Sequence, residues 1–192
     1  MGKQTKTASG QADVLDDRRI RIVLASLEKD RDKAMFLLSV KAGLRAKEIA
    51  GLTWDRVDLP GRRLALNVTK GGKPRIVAIA ADLLEALVAY RDVTGRKAGP
   101  VFTNEKDRPG QPIEPNTVAS WFRDLYGRKL GWKGFSSHSG RRTFVTKVAR
   151  KITEAGGSLR DVQAMVGHAN LATTQRYIET NDDAQRLVVD LI

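Results

Sequence analysis

Apolar residues recur along most of this chain at the three-to-four spacing of a helix, and in one stretch at the spacing of two that marks a strand. Residues 1–14 show neither rhythm and are expected to form a flexible N-terminal arm. Ile20, Val23, Leu24 and Leu27 predict a first helix, with Asp16 and Asp17 at the positive end of its dipole. Residues 34–42 are strongly apolar and stop at Gly43, which reads as a buried helix with a glycine after its C-terminus. A short helical turn over 46–52 follows.

The rhythm changes between residues 63 and 79. Leu64, Leu66 and Val68 alternate, Lys70-Gly71-Gly72-Lys73 breaks the run, and Ile76 and Ile79 follow with Val77 between, so a β-hairpin with a glycine turn is expected. Residues 81–90 return to helix, with Leu83, Leu84, Leu87 and Val88 as its apolar stripe. Residues 95–115 hold four of the six prolines and read as a long loop around Val101-Phe102. Further helices are expected from Asn116, as N-cap, to Gly131, over 139–152, over 159–166 with Ser158 and Asp161 as a capping box, and over 182–191. The fold class is therefore mainly α (α+β), a helical bundle with a small antiparallel sheet or hairpin.

A length of 192 residues suits one domain. The formal net charge of +12 points to a polyanionic partner, with nucleic acid ahead of an anionic membrane surface. The absence of cysteine excludes disulfides, thiolate metal sites and cysteine nucleophiles. No apolar run reaches the ~20 residues of a membrane span, and the first residues lack a signal-peptide core, so a cytoplasmic location is expected. Two histidines without suitably spaced carboxylates make a metal site unfavourable, and no cofactor is expected.

Candidate chemistry gathers at a few points. His138 and Arg141 lie three apart and share a helix face if the helix has begun. His168 follows Gly167, and Tyr177 lies nine residues beyond it. Lys70 sits at the hairpin tip, and Arg45 precedes Glu48 by three. Singly, each has an ordinary reading as a capping, solvated or core residue.

Together, Ala42-Gly43-Leu44-Arg45-Ala46-Lys47-Glu48, Lys70, His138-x-x-Arg141, Gly167-His168 and Tyr177 resemble the tyrosine recombinase (phage integrase) family in order and spacing, from about Leu15 to the C-terminus. The resemblance implies that catalytic residues Arg45 and Arg141 clamp a scissile phosphate and that His168 adds a hydrogen bond. It further implies that His138 assists proton transfer, Lys70 protonates the leaving 5′ oxygen, and Tyr177 is the nucleophile. Glu48 matches an acidic position that supports the first arginine. Where the family commonly has His-x-Leu-Arg-His, this chain has Gly140 and Arg142, which puts the local packing in question.

The implied function is site-specific cleavage and rejoining of duplex DNA through a 3′-phosphotyrosine. The implied layout is a catalytic domain over 15–181 and a C-terminal helix over 182–192, exchanged between protomers. The implied state is a monomer when free and a tetramer on paired DNA sites. Family members commonly carry a helical DNA-clamping domain ahead of the catalytic one, and only about fifteen residues precede the first helix here. A DNA-binding accessory protein that keeps the fold without strand exchange is the alternative. A type IB topoisomerase shares the chemistry, but the short chain and the Gly-His-to-Tyr spacing favour a recombinase.

Overall fold

The computed structural model describes residues 12–66, 74–104, 109–152 and 154–167. Lys70, His168, Tyr177 and the expected C-terminal helix lie outside the described residues.

Helix α1 (Asp17–Ser26) begins at Asp16, whose carboxylate accepts the Arg19 N–H at 2.6 Å. Helix α2 (Asp30–Ala42) starts four residues before the expected point and is buried nearly all round from Ala34 onward, as a helix without a polar face must be. It is the central post of the fold. Gly43 ends it in the left-handed region (φ +66°), where a Cβ would stand 2.5 Å from the Phe144 ring. The turn delivers Leu44 to the core and Arg45 to the start of α3 (Ala46–Ala50).

The hairpin is part of a three-stranded antiparallel sheet. Strand β1 (Val57–Asp58), preceded by a 3-10 turn at Trp54–Arg56, pairs with β2 (Arg63–Leu66), which pairs with β3 (Arg75–Ala78). In this register Leu64 faces Val77 and Leu66 faces Arg75. The inward face of the last strand is therefore Arg75, Val77 and Ile79, while Ile76, expected among the alternating apolar positions, is 66% exposed.

Helix α4 (Ala81–Thr94) buries Leu83, Leu87 and Tyr90, and packs on α2. The expected long loop contains a second small sheet of β4 (Thr103–Asn104) and β5 (Gln111–Pro112). Asn116 does not cap α5 (Pro115–Arg123); Glu114 is its N-cap residue and Pro115 occupies the first turn, where its missing N–H costs nothing. A π-helical stretch, Asp124–Lys129, continues it and places Tyr126 among Phe122, Trp132 and Phe135.

Helix α6 (Ser139–Lys151) lies along α2, and α7 (Leu159–Val166) packs on α6 and β3. The expected capping box of α7 is present: Asp161 accepts the Ser158 N–H at 2.7 Å, and Gly167 ends the helix at φ +64°. Residues 12–14, at the end of the expected arm, are anchored. Asp13 N–H donates to Gly134 O at 2.8 Å, Arg142 Nη1 to Ala12 O at 2.6 Å, and Leu15 N–H to Thr143 Oγ1 at 2.8 Å. The Lys147–Asp17 ion pair extends this seam between the N-terminal segment and α6.

Candidate active site

Glu48 is the centre around which the described candidates are arranged. As the third residue of α3, it accepts the Arg45 N–H at 2.8 Å on Oε2 and Arg45 Nη1 at 3.2 Å on Oε1. Arg75 forks onto both oxygens, Nη1 to Oε1 at 2.8 Å and Nη2 to Oε2 at 3.0 Å. Arg141 Nη1 stands 3.9 Å from Oε2. The Glu48 side chain is 3% exposed and those of Arg75 and Arg141 are 6% exposed, whereas that of Arg45 is 36% exposed. Burial alone would favour the neutral carboxyl. The Arg75 hydrogen bond, the Arg45 N–H and the charges of Arg75 and Arg141 outweigh it, and hold Glu48 below the ordinary glutamate range.

Arg141 is oriented by backbone. Its Nη1 donates to Gly43 O at 2.6 Å and its Nη2 to Val166 O at 2.7 Å, so one guanidinium joins the C-terminal ends of α2 and α7. Both ends carry carbonyls that their own helices cannot satisfy and the negative pole of the helix dipole. The arginine that clamps these ends is thereby fixed in direction, beside Glu48.

His138 is exposed and is the N-cap residue of α6, three positions before Arg141. Its N–H donates to Ser136 Oγ at 3.2 Å and its carbonyl accepts the Arg142 N–H at 2.9 Å. The structure thus brings together Arg45, Glu48 and Arg141 and sets His138 at the head of the helix that carries Arg141. Lys70 belongs to the segment joining β2 to β3, and His168 follows the last described residue, Gly167.

Arg75 was missed by the sequence reading. The signal was the period of two itself, because Val77 and Ile79 put residue 75 on the same inward face. Among the described tyrosines, Tyr90 is 6% exposed and Tyr126 is 0% exposed, and burial pushes the Tyr126 phenol well above its usual range. Neither can present an oxygen to a polymer phosphate. Among the described residues, no group of three His, Asp or Glu side chains is placed to hold a metal ion, and no helix is long and apolar enough to cross a membrane.

Residues 14–184 match the model of the phage integrase family. Tyrosine recombinase XerC of Pelobacter propionicus is 33% identical over 162 residues, covering 83% of this chain and 51% of that protein. Tyrosine recombinase XerC of Actinobacillus pleuropneumoniae serotype 7 is 38% identical over 161 residues, covering 82% and 49%. The crystal structure of XerA recombinase superposes with a TM-score of 0.74 at 29% identity, covering 94% of this chain and 65% of that one. The Tn1549 transposon integrase in complex with transposon right end DNA shares the fold, with a TM-score of 0.74 at 18% identity, over 93% of this chain and 65% of that one.

The fold is that of the tyrosine recombinase catalytic domain. The chain belongs to the phage integrase family, and it spans about half the length of the XerC relatives it matches.

Proposed function

We propose that this chain is the catalytic part of a site-specific recombinase that cleaves and rejoins duplex DNA through a covalent 3′-phosphotyrosine. The observation that carries the reading is the cluster of three guanidiniums around the carboxylate of Glu48, those of Arg75 and Arg141 largely buried and that of Arg45 more exposed. An excess of buried positive charge is costly unless an anion completes it. A phosphodiester does so, and the half-exposed Arg45 is the member open to it.

In this reading Arg45 and Arg141 bind the non-bridging oxygens, and His168 adds a hydrogen bond as charge develops there. Arginine suits the task because it keeps its proton throughout. The Tyr177 oxygen attacks phosphorus while His138 assists removal of the phenolic proton, and the bond to the 5′ oxygen breaks as Lys70 protonates it. Rejoining runs the same steps backwards from a 5′ hydroxyl. The bond from phosphorus to the tyrosine oxygen replaces the bond to the 5′ oxygen, so the number of phosphoester bonds is unchanged and the cycle balances without nucleotide hydrolysis.

Residues 15–181 form the catalytic domain in this proposal and 182–192 a helix donated to a neighbouring protomer, with a monomer in solution and a tetramer on paired sites. Duplex DNA is the partner. The net charge of +12 supports it, as does the capture of the fold's Tn1549 relative on transposon DNA.

The test is covalent trapping on nicked duplexes tiled across the DNA that flanks the gene, in which loss of a short fragment prevents rejoining. A denaturation-resistant adduct is expected with the wild-type chain and none with Tyr177→Phe. Tight binding without any adduct would favour the accessory-protein reading.

A further inference from the structure

The acceptor sites of Glu48 are filled, and Arg75 fills half of them. A carboxylate offers about four lone-pair sites on its two oxygens. Oε1 takes Arg75 Nη1 at 2.8 Å and Arg45 Nη1 at 3.2 Å, while Oε2 takes the Arg45 N–H at 2.8 Å and Arg75 Nη2 at 3.0 Å. The Arg45 guanidinium therefore meets Glu48 through Nη1 alone, in the longest of these contacts.

With a site open on each oxygen, a carboxylate draws a guanidinium into the forked two-bond geometry, which is the stronger arrangement. Arg45 is the group able to swing into it, because its side chain is 36% exposed. Arg141 is not: its Nη1, 3.9 Å from Oε2, donates to Gly43 O and its Nη2 to Val166 O. Forked onto Glu48, Arg45 would turn away the N–H groups that a phosphate needs.

Arg75 is held in its place. It opens β3 on the inward face that Val77 and Ile79 continue, and Gly167 lies so close that a Cβ there would stand 3.1 Å from Arg75 Cδ and 3.2 Å from Nη1. Nε of Arg75 is buried and has no hydrogen-bond partner among the described residues, so the fork onto Glu48 is what orients the group. As a stabilising device the placement is poor, since an apolar residue at position 75 would join the core without desolvating a charge.

We infer that Arg75 is a positioning residue for Arg45: by filling one site on each oxygen of Glu48, it keeps the Arg45 guanidinium from forking onto that carboxylate and leaves it open to the scissile phosphate. The inference rests on the reading of this cluster as a phosphodiester site. Loss of the Arg75 fork removes a phosphate contact that a different residue makes, and DNA affinity falls with it.

The experiment measures the affinity of the full chain for an intact duplex from the DNA that flanks the gene, by fluorescence anisotropy between about 50 and 200 mM salt. Arg75→Lys keeps the charge and loses the fork; Arg75→Gln is the second variant should the first not fold. One lost phosphate contact lowers affinity roughly tenfold at about 0.1 M salt and flattens the slope of log K against log salt by about 0.9. Arg45→Gln and Arg75→Lys should each show that loss, and the double variant should show it once, because both changes act on one contact. A chain that is merely less well folded binds with a smaller active fraction and an unchanged slope. Arg75→Lys with the wild-type slope beside a weakened Arg45→Gln, or losses that add in the double variant, would overturn the role of Arg75 and leave the phosphodiester reading standing. Wild-type affinity and slope in Arg45→Gln would overturn the phosphodiester reading of the cluster itself.

Discussion

Gly140 of α6 lies directly against Ser39 of α2, with no room for a side chain between them. A Cβ at position 140 would collide with the Ser39 hydroxyl and stand 2.8 Å from its Cβ and 3.1 Å from its carbonyl carbon. This contact accounts for the glycine where the family commonly has leucine: the two helices meet here more closely than a leucine allows, and Arg141, the next residue, donates to Gly43 O. Gly140→Ala should therefore destabilise the fold by about 1–3 kcal/mol, the scale of overpacking, which exceeds the gain in helix propensity of at most ~1 kcal/mol. Thermal or urea unfolding measures it. Combining it with Ser39→Gly should recover part of the loss in a double-mutant cycle, and strictly additive effects would refute the contact. Ser39→Ala alone should be neutral or stabilising, since its buried hydroxyl has no partner among the described residues.

Glu48 makes stability depend on acid. Its ionised form is favoured in the folded chain, so its contribution is complete above the unfolded glutamate value near ~4.3 and is lost as pH falls through the lower folded value. Unfolding midpoints measured from pH 7 down to pH 3 should fall steeply in the wild type below about pH 4.5. Glu48→Gln should flatten that limb, and at pH 7 should cost about 3–5 kcal/mol because it strands buried guanidiniums. An unchanged acid limb in the variant would assign the acid sensitivity to other carboxylates.

Much of this architecture is legible from the sequence, for physical reasons that differ between elements. Helix α2 announces itself by an unbroken apolar run ending at Gly43, and α7 by the Ser158–Asp161 box, because both signals are local. Strands β1, β4 and β5 have two residues each, too few to display a period of two, and the last two lie within the stretch expected as a long loop. In the site, the motif order exposed Arg45, Glu48 and Arg141, but not what orients Arg141. Its hydrogen-bond partners include the carbonyls of Gly43 and Val166, and a backbone carbonyl leaves no trace in residue identity. Arg75 escaped because a charged residue at the start of a strand resembles a surface position until the register turns it inward.

Affinity for duplex DNA should be dominated by phosphates and should depend steeply on salt. Six neutralised phosphates give a slope of log K against log salt near −5 and a loss of about 10³-fold between 50 and 200 mM. Arg45→Gln should lower the affinity and reduce the slope by about one if Arg45 meets a phosphate. A slope near zero, measured by fluorescence anisotropy across that range, would remove DNA as the principal partner.

The three tyrosines of the chain should separate cleanly in covalent trapping. Tyr126 is wholly enclosed, its hydroxyl has no partner among the described residues, and burial raises its pKa, so its oxygen is a poor nucleophile toward anything outside the core. Tyr126→Phe removes only that unsatisfied oxygen; stability should hold or rise by about 1 kcal/mol, and adduct yield should not change. Tyr90→Phe should likewise spare the adduct, since Tyr90 stacks on Phe102 in the core at a centroid distance of 5.4 Å. Tyr177→Phe should abolish the adduct while DNA affinity persists, because the ring remains and only the attacking oxygen is lost. Mass spectrometry of the trapped peptide identifies the attachment directly. An adduct on Tyr90 or Tyr126 would require local unfolding of the core before cleavage, and would then appear with a rate that rises in step with destabilising variants such as Gly140→Ala.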